Sequence, residues 1–293
     1  MAIRMSGKEV ATSCKERIKA DTASFVSRTG HRPTLAVILV GDDPASVSYV
    51  TSKKASCEEL GFAHRDYCLP ATASEDELLS LVGSLNRDDE VDGILVQFPT
   101  PSQIDDEKII LAISPDKDVD GLNPVNAGLC LMGQEGFISC TPKGILAILD
   151  YYGIPTDGQR VCVIGRSNLV GKPVAGLLMQ RGRDATVTVC NTHTKDLAGI
   201  TLASDIIIVA AGHPMTLTAD MVREGAVVID VGTNRVEDAS RERGWRLVGD
   251  CDYQAVSKKA SYISPVPGGV GPMTIAMLMD NTLIAARRRA GEI

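Results

Sequence analysis

Apolar residues follow two alternating rhythms along most of the 293-residue chain. One is the short unbroken run that reads as a buried strand. Such runs are TLAVILVG (34–41), DGILVQFP (92–99), RVCVIG (160–165), TVTVC (186–190), DIIIVAAG (205–212), AVVIDVG (226–232) and SYISPVPGG (261–269). HRDYCLP (64–70) is a more mixed strand between the first two. The other rhythm is helical. It predicts helices over 45–61, closed by Gly61 at the C′ position, over 74–86 with a Ser74–Glu77 capping box, and over 141–153. The third should have Thr141 as N-cap and Pro142 at its first position. A further helix should follow Lys172-Pro173, and an amphipathic one should close the chain over 274–290. Strand–helix–strand repetition implies parallel pairing. Between 99 and about 140 the rhythm loosens into Pro-, Gly- and Asp-rich segments, which predict long irregular loops of a functional kind.

The expected architecture is therefore α/β in two domains with a cleft between them. Residues 1–139 form the first domain, to which 273–293 return as a final helix. Residues 140–272 form the second, a block of five strands. A hydrophobic fraction of 44% with 23% charged residues fits a soluble globular protein. Eleven aromatic residues mean that the cores rest on Val, Ile, Leu and Ala. The net charge of −7 disfavours nucleic acid as a partner. The basic run Arg287-Arg288-Arg289 reads as a solvated last helical turn. Eight cysteines without a CxxC pair exclude ribbon-type zinc sites, and several lie in apolar runs as small core residues. With no signal-like segment and no membrane span in the sequence, a cytoplasmic protein with reduced thiols is expected.

Two segments suggest chemistry from their residues alone. In VCVIG-RSNLVG-KPVAGLL a strand runs through a loop bounded by Gly165 and Gly171 into a helix start, offering backbone N–H groups and a helix dipole to a phosphate. The loop lacks the middle glycine of the usual dinucleotide fingerprint, so a plain tight turn is the competing reading. The second strand of this block ends in Cys190-Asn191-Thr192, without the acid that would hold a ribose of NAD. That absence, with Arg166 inside the glycine loop, favours NADP, although Arg166 could equally be a surface cation. Upstream, Tyr49 and Lys53 stand four residues apart on one helix face. Lys53 alone reads as a solvated lysine, since Lys54 shows that the face is near water. Gln97 stands at the C-terminal end of a buried strand, where open α/β sheets present ligands. DKDVDG offers Asp116, Asp118 and Asp120 as loop-capping acids or, less well, as a metal cluster, because the calcium-loop spacing is incomplete.

Taken together, GDDPASVSYVTSKKASCEELGF, GILVQFPTP, PDKDVDGLNPVNAG, IGRSNLVGKP and PVPGGVGPMT resemble, in order and spacing, the bifunctional methylenetetrahydrofolate dehydrogenase/methenyltetrahydrofolate cyclohydrolase family. The resemblance covers residues from about 3 to 290. It implies a folate-binding α/β domain followed by a Rossmann-like NADP-binding domain. It also implies oxidation of 5,10-methylenetetrahydrofolate with NADP+, hydrolysis of the methenyl product to 10-formyltetrahydrofolate, and a homodimer. By the same resemblance Lys53 is the key residue of hydrolysis, with Gln97 as its hydrogen-bonding partner. Tyr49 orients the folate and Asp120 holds the pterin. Pro265, Gly268 and Gly269 line the substrate site. Gly165, Arg166, Ser167, Thr192 and Thr233 meet the cofactor, with Thr233 on the nicotinamide side. No metal is implied.

Hydride loss needs positioning more than acid or base, whereas hydrolysis needs a proton carrier, for which an amine of lowered pKa is suited. None of the four histidines is required. Two departures from the family pattern stand out. Asn191-Thr192 replaces a His-Ser pair, which leaves NADP preference less sharply marked, and Phe98 and Thr100 replace the usual leucines. A shikimate- or amino-acid-type dehydrogenase would also place a lysine upstream of a nucleotide domain, but it leaves PVPGGVGPMT without a role. A nucleotide-sensing subunit would not need the Tyr49, Lys53, Gln97 and Asp120 set.

Overall fold

The computed structural model describes residues 1–241 and 243–293, and for Pro44, Ala45 and Ser48 the backbone alone. In chain order the elements are β1 (Ile3–Arg4), α1 (Gly7–Thr29), β2 (Thr34–Val40), α2 (Pro44–Leu60), β3 (Ala63–Leu69), α3 (Glu75–Arg87) and β4 (Gly93–Val96). Then follow α4 (Asp106–Ala112), α5 (Pro124–Leu131), α6 (Cys140–Tyr151), β5 (Arg160–Ile164), α7 (Gly171–Leu178), β6 (Thr186–Cys190), α8 (Leu197–Leu202) and β7 (Ile206–Val209). The chain closes with β8 (Val227–Asp230), β9 (Asn234–Glu237), β10 (Trp245–Val248), α9 (Tyr253–Val256), β11 (Tyr262–Ile263) and α10 (Gly271–Arg289).

Two compact units result. One comprises Ser13–Leu129, Glu135–Ser139 and Ile275–Ile293. Its sheet is parallel, in the order β3-β2-β4. Every residue of β2 is buried, as a central strand covered on both faces must be. Ala36, Ile38 and Val40 point to one face, where they meet Leu78, Val82 and Leu85 of α3 and Ile109 of α4. Asp43 caps α2 by accepting from the Ser46 N–H at 2.9 Å, and Gly61 ends that helix in the left-handed conformation, φ 80°. The capping box of α3 is reciprocal, with the Glu77 N–H on Ser74 Oγ at 3.2 Å and the Ser74 N–H on Glu77 Oε2 at 2.8 Å.

The other unit comprises Met1–Thr12, Cys130–Gln134 and Cys140–Thr274. Its sheet has six strands, all parallel, in the order β1-β11-β8-β7-β5-β6. The sixth strand is β1, whose pairing with β11 places the start of the chain in this unit. Cys162 and Cys190 are buried in its apolar core with Ile207, Val228 and Ile263. An antiparallel hairpin, β9–β10, follows β8.

Three expectations change. The 99–140 segment is not irregular throughout, because it contains α4 and α5. Asp105 starts α4 by accepting from the Glu107 N–H at 3.0 Å, and Pro124 occupies the first position of α5. Thr141 is not an N-cap, since α6 already begins at Cys140. Pro142 still fits, because the whole first turn lacks intrahelical N–H bonds. The terminal arginines are not simply solvated. Arg287 pairs with Glu292 at 3.3 Å, Arg288 lies 4.8 Å from the Phe137 ring centre, and Arg289 donates to the carbonyls of Asp89 and Val91. Two of the guanidinium groups thus find acceptors, and the third lies over an aromatic face.

Candidate functional site

In each unit the chain leaves a first strand, forms its neighbour on one side, then returns to form its neighbour on the other. Adjacent connections then diverge above the C-terminal strand ends and leave a crevice there, the usual ligand position of an open α/β sheet. The first unit has this switch between β2 and β4, and the second has it between β5 and β7.

At the first switch, Gln97 continues β4, its N–H bonded to the Ile38 carbonyl at 2.9 Å. Lys53 projects from α2, and its Nζ donates to Gln97 Oε1 at 2.7 Å. The amide of Gln97 is oriented by its own Nε2, which donates to the Phe98 carbonyl at 3.0 Å. The solvated-lysine reading therefore fails for Lys53, which is half-buried, and holds for Lys54, which is exposed. Tyr49, one turn earlier on α2, is 53% exposed and available to a flat ligand.

Asp120 is half-buried in the loop before α5, and the reason lies in its neighbours. Asp118, only 2% exposed, accepts from the Leu122 and Asn123 N–H groups at 3.1 and 2.8 Å and from Asn126 Nδ2 at 2.9 Å. Buried Val119 rests on Gly93, where a Cβ would strike its methyl groups, and Asn281 Nδ2 holds the Val119 carbonyl at 2.8 Å. Asp118 is thus the loop-capping acid of the DKDVDG segment. Lys117 turns inward to the carbonyls of Leu85 and Asp88, at 2.8 and 2.6 Å, while Asp116 stays exposed.

Burial pushes the Asp118 carboxyl up from 3.8 to about 6, against the pull of its three donors. The folded state then holds this proton more tightly than the unfolded chain does. The associated stability is fully present below about pH 4 and is lost as the pH rises through about 6. A shift of that size corresponds to about 3 kcal/mol. Urea midpoints of the parent and of Asp118→Asn, measured at pH 4.5 and pH 7, should therefore show the parent's relative advantage larger at pH 4.5. A difference independent of pH would contradict the assignment.

At the second switch, Gly165 ends β5 with φ 122°, and a Cβ there would overlap the Ala210 carbonyl oxygen. A Cβ on Gly171 would overlap the Gly165 carbonyl in the same way, so both glycines are required by close backbone approach. Ser167 Oγ accepts from the N–H groups of Val170 and Gly171 at 3.1 and 3.4 Å, capping the start of α7. Gly165, Arg166, Ser167 and Thr192 line one pocket of about 750 Å³, together with Asn191, Ala211, Gly212, His213 and Thr216. Of these last five only Asn191 stood out in the sequence, although the glycine closing DIIIVAAG marks the segment after β7 that carries Ala211 and Gly212.

The pocket suits a dinucleotide phosphate. Its lining includes a guanidinium, hydroxyls and close-packed backbone, and no carboxylate is among the lining residues. Thr233 is exposed beyond β8 and does not line this pocket. Pro265 and Gly269 are buried and Gly268 is half-buried. The two glycines pack with the start of α1, where the Gly7 N–H donates to the Gly268 carbonyl at 2.9 Å and a Cβ on Gly7 would strike the Gly269 carbonyl.

A family model described as the tetrahydrofolate dehydrogenase/cyclohydrolase catalytic domain matches residues 5–120. One described as the NAD(P)-binding domain of the same family matches residues 139–290. The chain belongs to the tetrahydrofolate dehydrogenase/cyclohydrolase family. Among relatives of this family, the bifunctional protein FolD of Flavobacterium johnsoniae is 50% identical over 98% of both chains. A crystal structure of the bifunctional enzyme from Campylobacter jejuni is 47% identical, covers 99% of this chain and all of that one, and superposes with a TM-score of 0.92. The Trypanosoma brucei dehydrogenase-cyclohydrolase, solved with NADP cofactor and inhibitor, is 38% identical with a TM-score of 0.93. It covers 99% of this chain and 98% of that one.

Proposed function

We propose that in this bifunctional enzyme, which oxidises 5,10-methylenetetrahydrofolate with NADP+ and hydrolyses the methenyl product to 10-formyltetrahydrofolate, the Lys53–Gln97 pair carries the hydrolytic step. The 2.7 Å contact between Nζ and the amide oxygen is the observation that supports this reading. Water adds to the methenyl carbon, its proton leaves, and one C–N bond opens. Lys53 is the group placed to accept and return that proton. Gln97 holds the amine without adding a negative charge that would keep it permanently protonated.

Asp120 is assigned to the pterin, whose amino and ring N–H groups can donate to both carboxylate oxygens. Tyr49 is assigned to ring orientation, and Pro265, Gly268 and Gly269 to the rigid backbone of the substrate site. The cofactor would be held by Gly165, Arg166, Ser167 and Thr192, with Thr233 toward the nicotinamide. When bound, NADP+ supplies the hydride acceptor. The chain's own task in that step is to fix the donor carbon and exclude water.

Homodimeric assembly and a cytoplasmic location are part of the same proposal. They are supported by the sequence resemblance, and the assembly is tested by sedimentation equilibrium. No helix among the described residues is long and apolar enough to cross a membrane.

The test of function is an absorbance time course with methylenetetrahydrofolate and either NADP+ or NAD+, following reduced cofactor and methenyl species together. Reduced cofactor should form faster with NADP+, and the methenyl signal should rise and then decay. A methenyl signal that forms and never decays would remove the hydrolytic half of the proposal.

A further inference from the structure

Behind the wall of the dinucleotide pocket lie two acids that none of the assigned roles uses. Asp250 is fully buried, and Asp230 is 2% exposed. Asp250 Oδ2 accepts from two consecutive backbone amides, Ala211 at 2.7 Å and Gly212 at 2.8 Å. Its Oδ1 accepts from Asn234 Nδ2 at 2.8 Å, and its carbonyl accepts from the Thr216 N–H at 2.7 Å. Asp230 supports this arrangement from behind, accepting from the N–H groups of Gly232, Asp250 and Cys251 at 3.1, 2.9 and 2.9 Å. The fit is close. A Cβ on Gly232 would strike the Asp250 carboxylate, and one on Gly249 would strike that of Asp230.

Ala211, Gly212 and Thr216 line the pocket, and Asn234 follows Thr233 directly. One carboxylate therefore joins the segment after β7 to the segment after β8. We infer that Asp250 is a positioning residue for the dehydrogenase reaction, shaping the pocket wall for NADP while fixing the Thr233 segment through Asn234. The inference rests on the NADP assignment made above. The physical basis is that a buried donor deprived of its acceptor costs far more than the bond itself contributes.

Asp250→Asn keeps the shape but leaves one oxygen. Its new NH2 faces either the Ala211–Gly212 amides, which then lose their acceptor, or the Asn234 amide, which must turn over and give up its 3.2 Å bond to the Gly249 carbonyl. In the first case NADP titration by calorimetry should show the dissociation constant raised about tenfold or more, and in the second the dehydrogenase kcat should fall about tenfold with the pocket wall still held. Methenyl hydrolysis needs no nucleotide, and the Lys53–Gln97 pair assigned to it lies in the other unit, so it serves as the internal control and should change less than about twofold. Asn234→Ala leaves the pocket wall held and releases only the Thr233 segment. It should lower the dehydrogenase kcat by about tenfold with little change in NADP affinity.

Parent-like NADP affinity together with a parent-like dehydrogenase kcat in Asp250→Asn would overturn the inference, as would equal loss of binding and hydrolysis. Should that variant not fold, an unchanged kcat in Asn234→Ala overturns it. A parent enzyme that itself fails to bind NADP would instead defeat the cofactor assignment on which the inference rests.

Discussion

Lys53→Met should hydrolyse methenyltetrahydrofolate about 10²–10⁴ times more slowly than the parent, the usual contribution of a positioned proton carrier. Methionine keeps most of the stem volume of lysine and removes the amine, so folding is not at issue for a half-buried side chain on α2. The dehydrogenase half supplies the discriminating readout. With methylenetetrahydrofolate and NADP+, the variant should still form reduced cofactor while the methenyl species accumulates instead of passing through a maximum. Gln97→Glu should also slow hydrolysis, because a carboxylate within reach of Nζ favours the charged ammonium over the free amine. Hydrolysis at the parent rate in Lys53→Met would show that the 2.7 Å contact to Gln97 has no chemical consequence.

Gly165→Ala is the second large effect, and it acts on the other unit. The backbone at this position has φ 122°, which side-chain-bearing residues rarely adopt, and the added Cβ would fall on the Ala210 carbonyl oxygen. That carbonyl is packed backbone rather than the tip of a flexible side chain, so the strand ends must separate. Strain and lost packing together should cost about 3 kcal/mol or more. NADP binding should fall below detection in a titration that gives a clear isotherm for the parent. Unfolding by urea should show the unit containing β5 melting at lower denaturant than in the parent, with NADP reduction lost over the same range. Parent-like NADP affinity in this variant would mean that the glycine loop is only a turn.

The strands that carry the two switches were legible in sequence because they are buried on both faces. TLAVILV, GILV and IIIV are buried along their whole length and RVCVI from its second residue on, so hydrophobicity alone marks them. Helix ends were legible where a side chain or a glycine makes the cap, as at Ser74 and Gly61. Elements that exist only through pairing partners were not legible. β1 is two residues, both exposed, and nothing in Ile3-Arg4 predicts a strand until Tyr262 and Ile263 lie beside it.

The same contrast holds for the sites. Lys53 and Gln97 could each be placed on an element, but their contact spans 44 residues of sequence and depends on how α2 lies over β2. Asp250 carried no signal at all. An acid between glycine and cysteine after a short strand reads as a surface turn. Its role comes from donors 16, 38 and 39 residues away.

The pairing of β1 with β11 bears on how the gene is best cloned. The N–H groups of Ala2, Ile3 and Met5 reach the carbonyls of Ser257, Ser261 and Ile263 at 2.8, 2.7 and 2.9 Å. An expression clone trimmed to begin at Ser6 would leave those carbonyls without their donors and the outer rim of β11 open, a template onto which extended peptide from another molecule could add. Fusion partners and purification tags are therefore better joined after Ile293 than spliced in place of the first five residues.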